Sequence, residues 1–311
     1  MSFSSDVKNE VARIEGEPKS CEKAELFGLL RISGSVSLRG RNVGIHFTTE
    51  NAALARRVLQ LLKSNFQLQT EVLITRSRRL KKNNRYQVQV IPSEEARSAL
   101  QDLQLLEPLG NVKLPLLKDI AARKAFLRGV FLAGGSVNKP ISDYHLEMVS
   151  DNEELIKLVQ KTMQRFSLNA KVVDRKGSFI VYLKEGNAIT NFLSLIGAHH
   201  SLLEFENVRV VKDMRNNVNR IVNCETANLN KIVKAALRQI ACIKYLEASN
   251  RLVTLPDKLR EAARLRLAHE ELPVGELAAL CEEDVSKSGF NHRLKKLEKL
   301  AEDMGMGNGE L

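Results

Sequence analysis

The chain repeats itself once, and that repeat limits what it can fold into. Ala24–Val36 reads AELFGLLRISGSV and Ala125–Val137 reads AFLRGVFLAGGSV. Gly28 matches Gly129 and Gly34 matches Gly135, both at an offset of 101 residues. The offset persists downstream, where Thr49-Glu50-Asn51 pairs with Ser150-Asp151-Asn152. Phe66 then pairs with Phe166 and Val72 with Val172, at an offset of 100. A period this long is not that of a solenoid and marks two copies of one folding unit.

Each copy opens with an apolar helix that ends at glycine, over residues 22–33 and 119–133. Alternating apolar residues then predict a strand pair, 35–38 with 43–48 in the first copy and a hairpin over 136–150 in the second. Asn51 and Asn152 sit where a helix N-cap belongs, before amphipathic stretches to Phe66 and Phe166. A second strand pair follows, 70–75 with 86–91 and 170–174 with 178–183. A last helix closes each unit, over 94–106 and 188–196. The order is αββαββα, twice. Residues 1–20 are polar with one short helix, and Pro108–Pro115 links the copies. Beyond residue 200 the strand signals stop. Helices are predicted over 202–222, 228–248, 255–268, 274–280 and 288–301, with a flexible break at Asn223–Asn230. The fold class is α+β, a duplicated αββαββα unit over 21–110 and 111–222, followed by an all-α domain over 223–305. The tail, 306–311, is predicted to be disordered.

Charge is sorted along this plan. The net charge of the whole chain is +11. Residues 1–110 carry +5, residues 111–222 carry +6 and the remainder is neutral. An excess of this size favours a polyanionic partner. The absence of Trp and the presence of only four Tyr argue against a stacking platform for single strands. Cys21, Cys224, Cys242 and Cys281 form no C-x-x-C pair and read as reduced core thiols. His199-His200 is the only histidine pair, and neighbours on a helix do not share a face. No metal site and no cofactor follow from such spacing. No apolar run reaches membrane-spanning length. The expectation is a cytoplasmic protein, and a monomer, because the duplication already supplies a two-fold.

A duplicated αββαββα unit with glycine-bearing motif helices resembles the LAGLIDADG homing endonucleases. The resemblance implies two motif helices packed side by side, with glycines allowing close approach, and two saddle-like sheets that sit on DNA. In that family an acidic residue before the final glycine of each motif holds the catalytic metals. Here those positions are Ser33 and Gly134. Neither offers the anionic oxygen a hard cation needs, so the resemblance implies the fold without the cleavage chemistry.

The C-terminal stretch reads as a helix-turn-helix. Leu277, Ala278 and Leu280 mark a short helix. A second begins at Ser286 or Ser288, with Phe290, Leu294 and Leu297 inward at helical spacing. Ser286, Lys287, Ser288, Asn291, His292, Arg293, Lys295 and Lys296 are the candidate DNA-contacting residues. Asn matches adenine, Arg and Lys match guanine, and a helix start suits phosphate. Glu270–Asp284 holds six acids and no base, whereas Lys287–Lys299 holds five bases and one acid. The plainer alternative is an amphipathic helix with a solvated face. SKSGFNHRLKKLEKLAE, with LPDKLREAARLRLAH upstream, resembles the C-terminal signature of the WhiA family, and the resemblance extends over nearly the whole chain. It implies a DNA-binding regulator tied to sporulation, cell division or chromosome segregation, and associated with the nucleoid. Double-stranded DNA is then the expected partner, with transcription or division proteins as further ones.

Two other readings stay open at this level. An active endonuclease would need carboxylates from elsewhere, and Asp143 and Glu147 in the hairpin could serve only by rearrangement, whereas an RNA maturase would bind structured RNA. A reused saddle could instead bind protein. The hairpin tip between Thr75 and Arg85 carries Arg76, Arg78, Arg79, Lys81, Lys82 and Arg85. It either contacts the DNA backbone or is solvated, as charge runs usually are.

Overall fold

The computed structural model describes residues 2–40, 42–76, 84–109 and 115–306. Helix α1 (Phe3–Val11) precedes the first copy, α2 (Lys19–Ser33), β1 (Gly34–Arg39), β2 (Asn42–Thr49), α3 (Ala52–Phe66), β3 (Thr70–Arg76), β4 (Asn84–Ser93) and α4 (Glu94–Asp102). The second copy is α5 (Ile120–Gly134), β5 (Gly135–Val137), β6 (Leu146–Ser150), α6 (Glu153–Gln164), β7 (Lys171–Arg175), β8 (Ser178–Leu183) and α7 (Gly186–Ile196). Each copy builds an antiparallel four-stranded sheet, in the orders β1-β2-β4-β3 and β5-β6-β8-β7. The expected αββαββα duplication is therefore present.

The repeated polar triplets explain why the helices start in step. Asn51 Oδ1 accepts from the Ala53 and Leu54 N–H groups at 2.8 and 3.1 Å, and Asn152 Oδ1 accepts from Leu155 N–H at 2.9 Å. Thr49 and Ser150 hydroxyls accept from the N–H groups of those two asparagines, each at 3.1 Å. These are N-caps in the same place, each contributing roughly 1 kcal/mol. Lys176 and Gly177, with φ of 55° and 87°, form the two-residue turn between β7 and β8, as a primed hairpin turn requires.

Helices α2 and α5 pack at the centre of the duplicated unit through their glycines. A Cβ on Gly28 would stand 2.7 Å from the Phe126 carbonyl oxygen, and one on Gly129 would stand 2.1 Å from that of Glu25. Any side chain at either site would drive the helices apart. The contact is two-fold in backbone and asymmetric in chemistry. Positions 25 and 128 hold Glu and Arg, whereas their repeat equivalents 126 and 27 hold two phenylalanines with ring centroids 5.8 Å apart. Glu25 is fully buried. Arg57 Nε and Nη2 donate to its two oxygens at 2.8 Å each, and Arg128 Nε and Nη2 donate to Oε2 at 2.9 and 2.8 Å. Burial alone would lower the Arg57 pKa, and the Glu25 carboxylate more than reverses that. Arg128 also pairs with Glu17.

The core of this unit takes in Phe3, Val7 and Val11 of α1, so the N-terminal residues are part of it. Glu10 reaches the start of the next helix, accepting from the His200 and Ser201 N–H groups at 2.7 and 2.9 Å.

That helix, α8, runs unbroken from His199 to Ala248. The break expected at Asn223–Asn230 is absent. Asn and Thr lower helix propensity but remove no backbone donor. Asn250, in a left-handed conformation at φ 53°, closes α8, with its N–H donating to the Glu247 carbonyl and the Arg251 N–H to that of Leu246, and no residue from 223 to 230 adopts such a φ. The chain divides into two compact units, Met1–Asp213 and Met214–Leu311, with the boundary inside α8. The second unit continues with α9 (Asp257–Ala268), α10 (Val274–Ala279) and α11 (Lys287–Asp303). Cys21 and Cys242 are buried as expected, but Cys224 is exposed on α8. The residues of the expected disordered tail from 307 onward lie outside the described residues.

Candidate nucleic-acid interface

The second unit is built around one small core. Phe290, Leu294, Leu297 and Ala301 of α11 are buried against Leu277 and Ala278 of α10, Leu259, Ala262 and Ala263 of α9, and Cys242, Ile243 and Leu246 of α8. Those four positions recur every three or four residues, so they fix which side of α11 faces outward. Ser286 is the N-cap, and its hydroxyl accepts from Gly289 N–H at 3.2 Å and lies 3.0 Å from the Ser288 hydroxyl.

The outward side carries Lys287, Ser288, His292, Lys295 and Lys296, all exposed, with half-buried Asn291 at its margin. Lys299 extends the same face one turn further. It lies four residues after Lys295, and helical spacing alone would have found it. The short α10, a turn and the longer α11 have the helix-turn-helix order, with the N-terminal turns of the second helix free to enter a groove.

Arg293 sits differently. It is 11 % exposed and donates to Glu261 Oε2 at 3.3 Å, with Glu283 Oε2 at 3.8 Å. The other Glu261 oxygen accepts from Glu282 N–H at 2.7 Å. Glu261 of α9 thus holds both the turn before α11 and α11 itself. The Lys258 ammonium and, less strongly, Arg293 hold Glu283 below the usual carboxylate range, so the pairing is between ions at neutral pH. Arg293 is spent on carboxylates that fix the helix, a pairing invisible in sequence because α9 lies some thirty residues upstream.

In the first unit, Arg76 ends β3 and Arg85 lies at the start of β4, both exposed. Arg78, Arg79, Lys81 and Lys82 lie outside the described residues. The sheet face away from the helices carries Ser35, His46, Gln89 and Glu71 in one row across the first sheet, with His46 Nε2 and Gln89 Nε2 3.1 Å apart. The corresponding face of the second sheet carries Ser136, Glu147, Tyr182 and Lys171. Sequence reading did not single out these polar rows, although strand alternation marks them.

The residues at the motif ends do not fit a metal. Ser33 has no carboxylate. At Gly134 a Cβ would stand 2.7 Å from the Val149 carbonyl oxygen and 2.9 Å from Ile32 Cγ2. The position therefore lacks room for an acid as well as the acid itself. Glu147 is held by Ser136 and His145 at 3.3 and 3.0 Å, and Asp143 is exposed in the hairpin. Among the described residues, no three His, Cys, Asp or Glu side chains are grouped to share an ion.

Three family models match successive parts of the chain. The model of the WhiA N-terminal LAGLIDADG-like domain matches residues 19–106, that of the WhiA LAGLIDADG-like domain residues 123–215, and that of the WhiA C-terminal HTH domain residues 218–301. The chain is 46% identical over 310 residues to a protein of Alkaliphilus metalliredigens named "Probable cell division protein WhiA", covering 97% of this chain and 98% of that one. It is 46% identical over 313 residues to the protein of the same name from Bacillus cytotoxicus, covering 99% and 98%. Full-length WhiA from Thermatoga maritima has a similar structure, with a TM-score of 0.61 and 27% identity over 97% of this chain and 99% of that one. Three domain models in the right order and relatives matched from end to end leave one conclusion: the chain belongs to the WhiA family.

Proposed function

We propose that this protein is a non-catalytic DNA-binding regulator of cell division, in which α11 selects the site and the basic first unit adds phosphate attraction. The observation that carries this reading is α11. A helix packed on one side by Phe290, Leu294 and Leu297 presents Ser288, His292, Lys295 and Lys296 outward, with Asn291 at the margin. Asn and Lys are suited to base edges and phosphates, and the Ser286 cap presents free N–H groups at the helix start. The names of the relatives support cell division, with transcription control, chromosome segregation and sporulation-type regulation as its finer possibilities. Charge supports the division of labour, since the first unit, Met1–Asp213, carries +9 of the total of +11. We place the protein in the cytoplasm on the nucleoid, as a monomer, with transcription or division proteins as further partners. Ser33 and the crowded Gly134 support a binding protein over a nuclease.

Genome-wide mapping of bound DNA tests the reading. Discrete peaks that vanish in an Asn291→Ala, His292→Ala variant of normal abundance are expected. Peaks of unchanged position and height would refute the role of α11. Nicking of supercoiled plasmid by the purified protein with Mg²⁺ would refute the non-catalytic part.

A further inference from the structure

Helix α8 has a second chemically distinct face. From Asp213 to Ala235 every residue is exposed. Such a stretch lacks the tertiary packing from which most helical stability in proteins comes. Support from within is missing. Six asparagines fall between Met214 and Ala235, each a poorer helix former than Ala. Among the described residues, the 3.8 Å contact of Asn228 with Cys224 is the one side-chain bond within this stretch, and no ion pair joins it. A merely solvated helix face would carry Glu, Lys and Gln at i,i+4 spacing.

The residues are also sorted around the helix. Asn216, Asn219, Arg220, Asn223, Asn230 and Lys234 share one face at helical spacing, over a length of about 27 Å. Met214, Val218, Ile221, Leu229 and Ile232 take the opposite face. Glu225 is the single acid between Met214 and Ala235, against Arg215, Arg220, Lys231 and Lys234. The polar face holds no aromatic residue and no Met, although protein-docking faces concentrate both along with Arg. Asn and Arg are the side chains that bond adenine and guanine edges in two places at once, and an α-helix fits the major groove.

We infer that the Asn216–Lys234 face of α8 is a second contact for duplex DNA, separate from the helix-turn-helix. This rests on the DNA-binding reading above. Charge complementarity selects the duplex as occupant, and the external contact supplies the support that this stretch of helix lacks.

The test uses the full-length protein and a labelled mixed-sequence duplex of about 30 base pairs, with affinity measured against salt concentration. One variant carries Asn216→Ala, Asn219→Ala, Arg220→Ala and Asn223→Ala. Alanine is the better helix former, so its helical circular dichroism stays equal or rises. The expected result is a loss of affinity of at least about tenfold, with a salt slope shallower by about 0.9 for the one cation removed. Unchanged affinity and slope would overturn the inference. So would a self-association of the parent that the variant loses, which would give the face to a second copy. A second variant, Lys295→Ala with Lys296→Ala, separates the two levels. If it loses affinity while the α8 variant does not, only the present inference fails. If neither loses affinity, the role assigned to α11 fails as well.

Discussion

Replacing Glu25 by Gln is expected to be among the most damaging conservative changes in the first unit. The Glu25 carboxylate is fully buried and takes four charge-assisted hydrogen bonds from Arg57 and Arg128 at 2.8 to 2.9 Å. Gln keeps the shape, removes the charge and turns an NH₂ toward a guanidinium. Arg57, 2% exposed, then loses its carboxylate, and Arg128, 3% exposed, keeps its pair with Glu17. Removing one partner of a buried ion pair costs about 3–5 kcal/mol, and the upper half of that range applies because one change takes the carboxylate from two buried arginines. Against a total stability of about 5–15 kcal/mol, this is a large fraction. Urea denaturation followed by far-ultraviolet circular dichroism would measure it. Arg128→Met should cost less, since Glu25 keeps Arg57. A Glu25→Gln protein within about 1 kcal/mol of the parent, or one more stable than Arg128→Met, would refute the reasoning. The same pair makes α2 and α5 complementary to each other and not to themselves, because an α5–α5 pairing would bury Arg128 against Phe126.

Other consequences follow from geometry. Gly129→Ala should destabilise more than Gly28→Ala in the same denaturation assay, because its Cβ would stand 2.1 Å rather than 2.7 Å from a carbonyl oxygen. Gly134→Asp should lower the melting temperature and produce no plasmid nicking with Mg²⁺, since the new side chain meets the Val149 carbonyl. Ser286→Ala should cost about 1 kcal/mol through loss of the α11 cap. Burial beside the Phe131 ring brings the Lys8 pKa from 10.5 down to about 8. The folded value lies below the unfolded one, so burying the amine is most costly below pH 8 and the penalty fades as pH climbs toward 10.5. Stability should therefore gain over that window in the parent relative to Lys8→Met, and parallel pH profiles would contradict it.

The duplication was legible because its markers are local. Glycines at close helix approaches and Asn N-caps recur at one offset, and each acts within a few residues of itself. The break expected in α8 is absent because Asn within a helix only lowers its propensity, and the left-handed turn that ends the helix falls at Asn250, which nothing in the local sequence distinguishes from the asparagines before it. Arg293 was chosen for its charge and its neighbours on α11. Its partner Glu261 lies on α9, and pairing across elements leaves no mark in local spacing. The Glu25–Arg57–Arg128 cluster was unreadable for the same reason. Phe290, Leu294 and Leu297 did locate the outward face of α11, because helical periodicity is enough for that.

The central claim, that α11 chooses the site, is tested most directly by selection from a pool of random-sequence duplexes with the purified full-length protein. The parent should enrich one short motif. An Asn291→Ala, His292→Ala variant with unchanged circular dichroism should retain weak, salt-sensitive binding and enrich no motif, or a different one. Enrichment of the same motif to the same degree by both proteins would contradict the account.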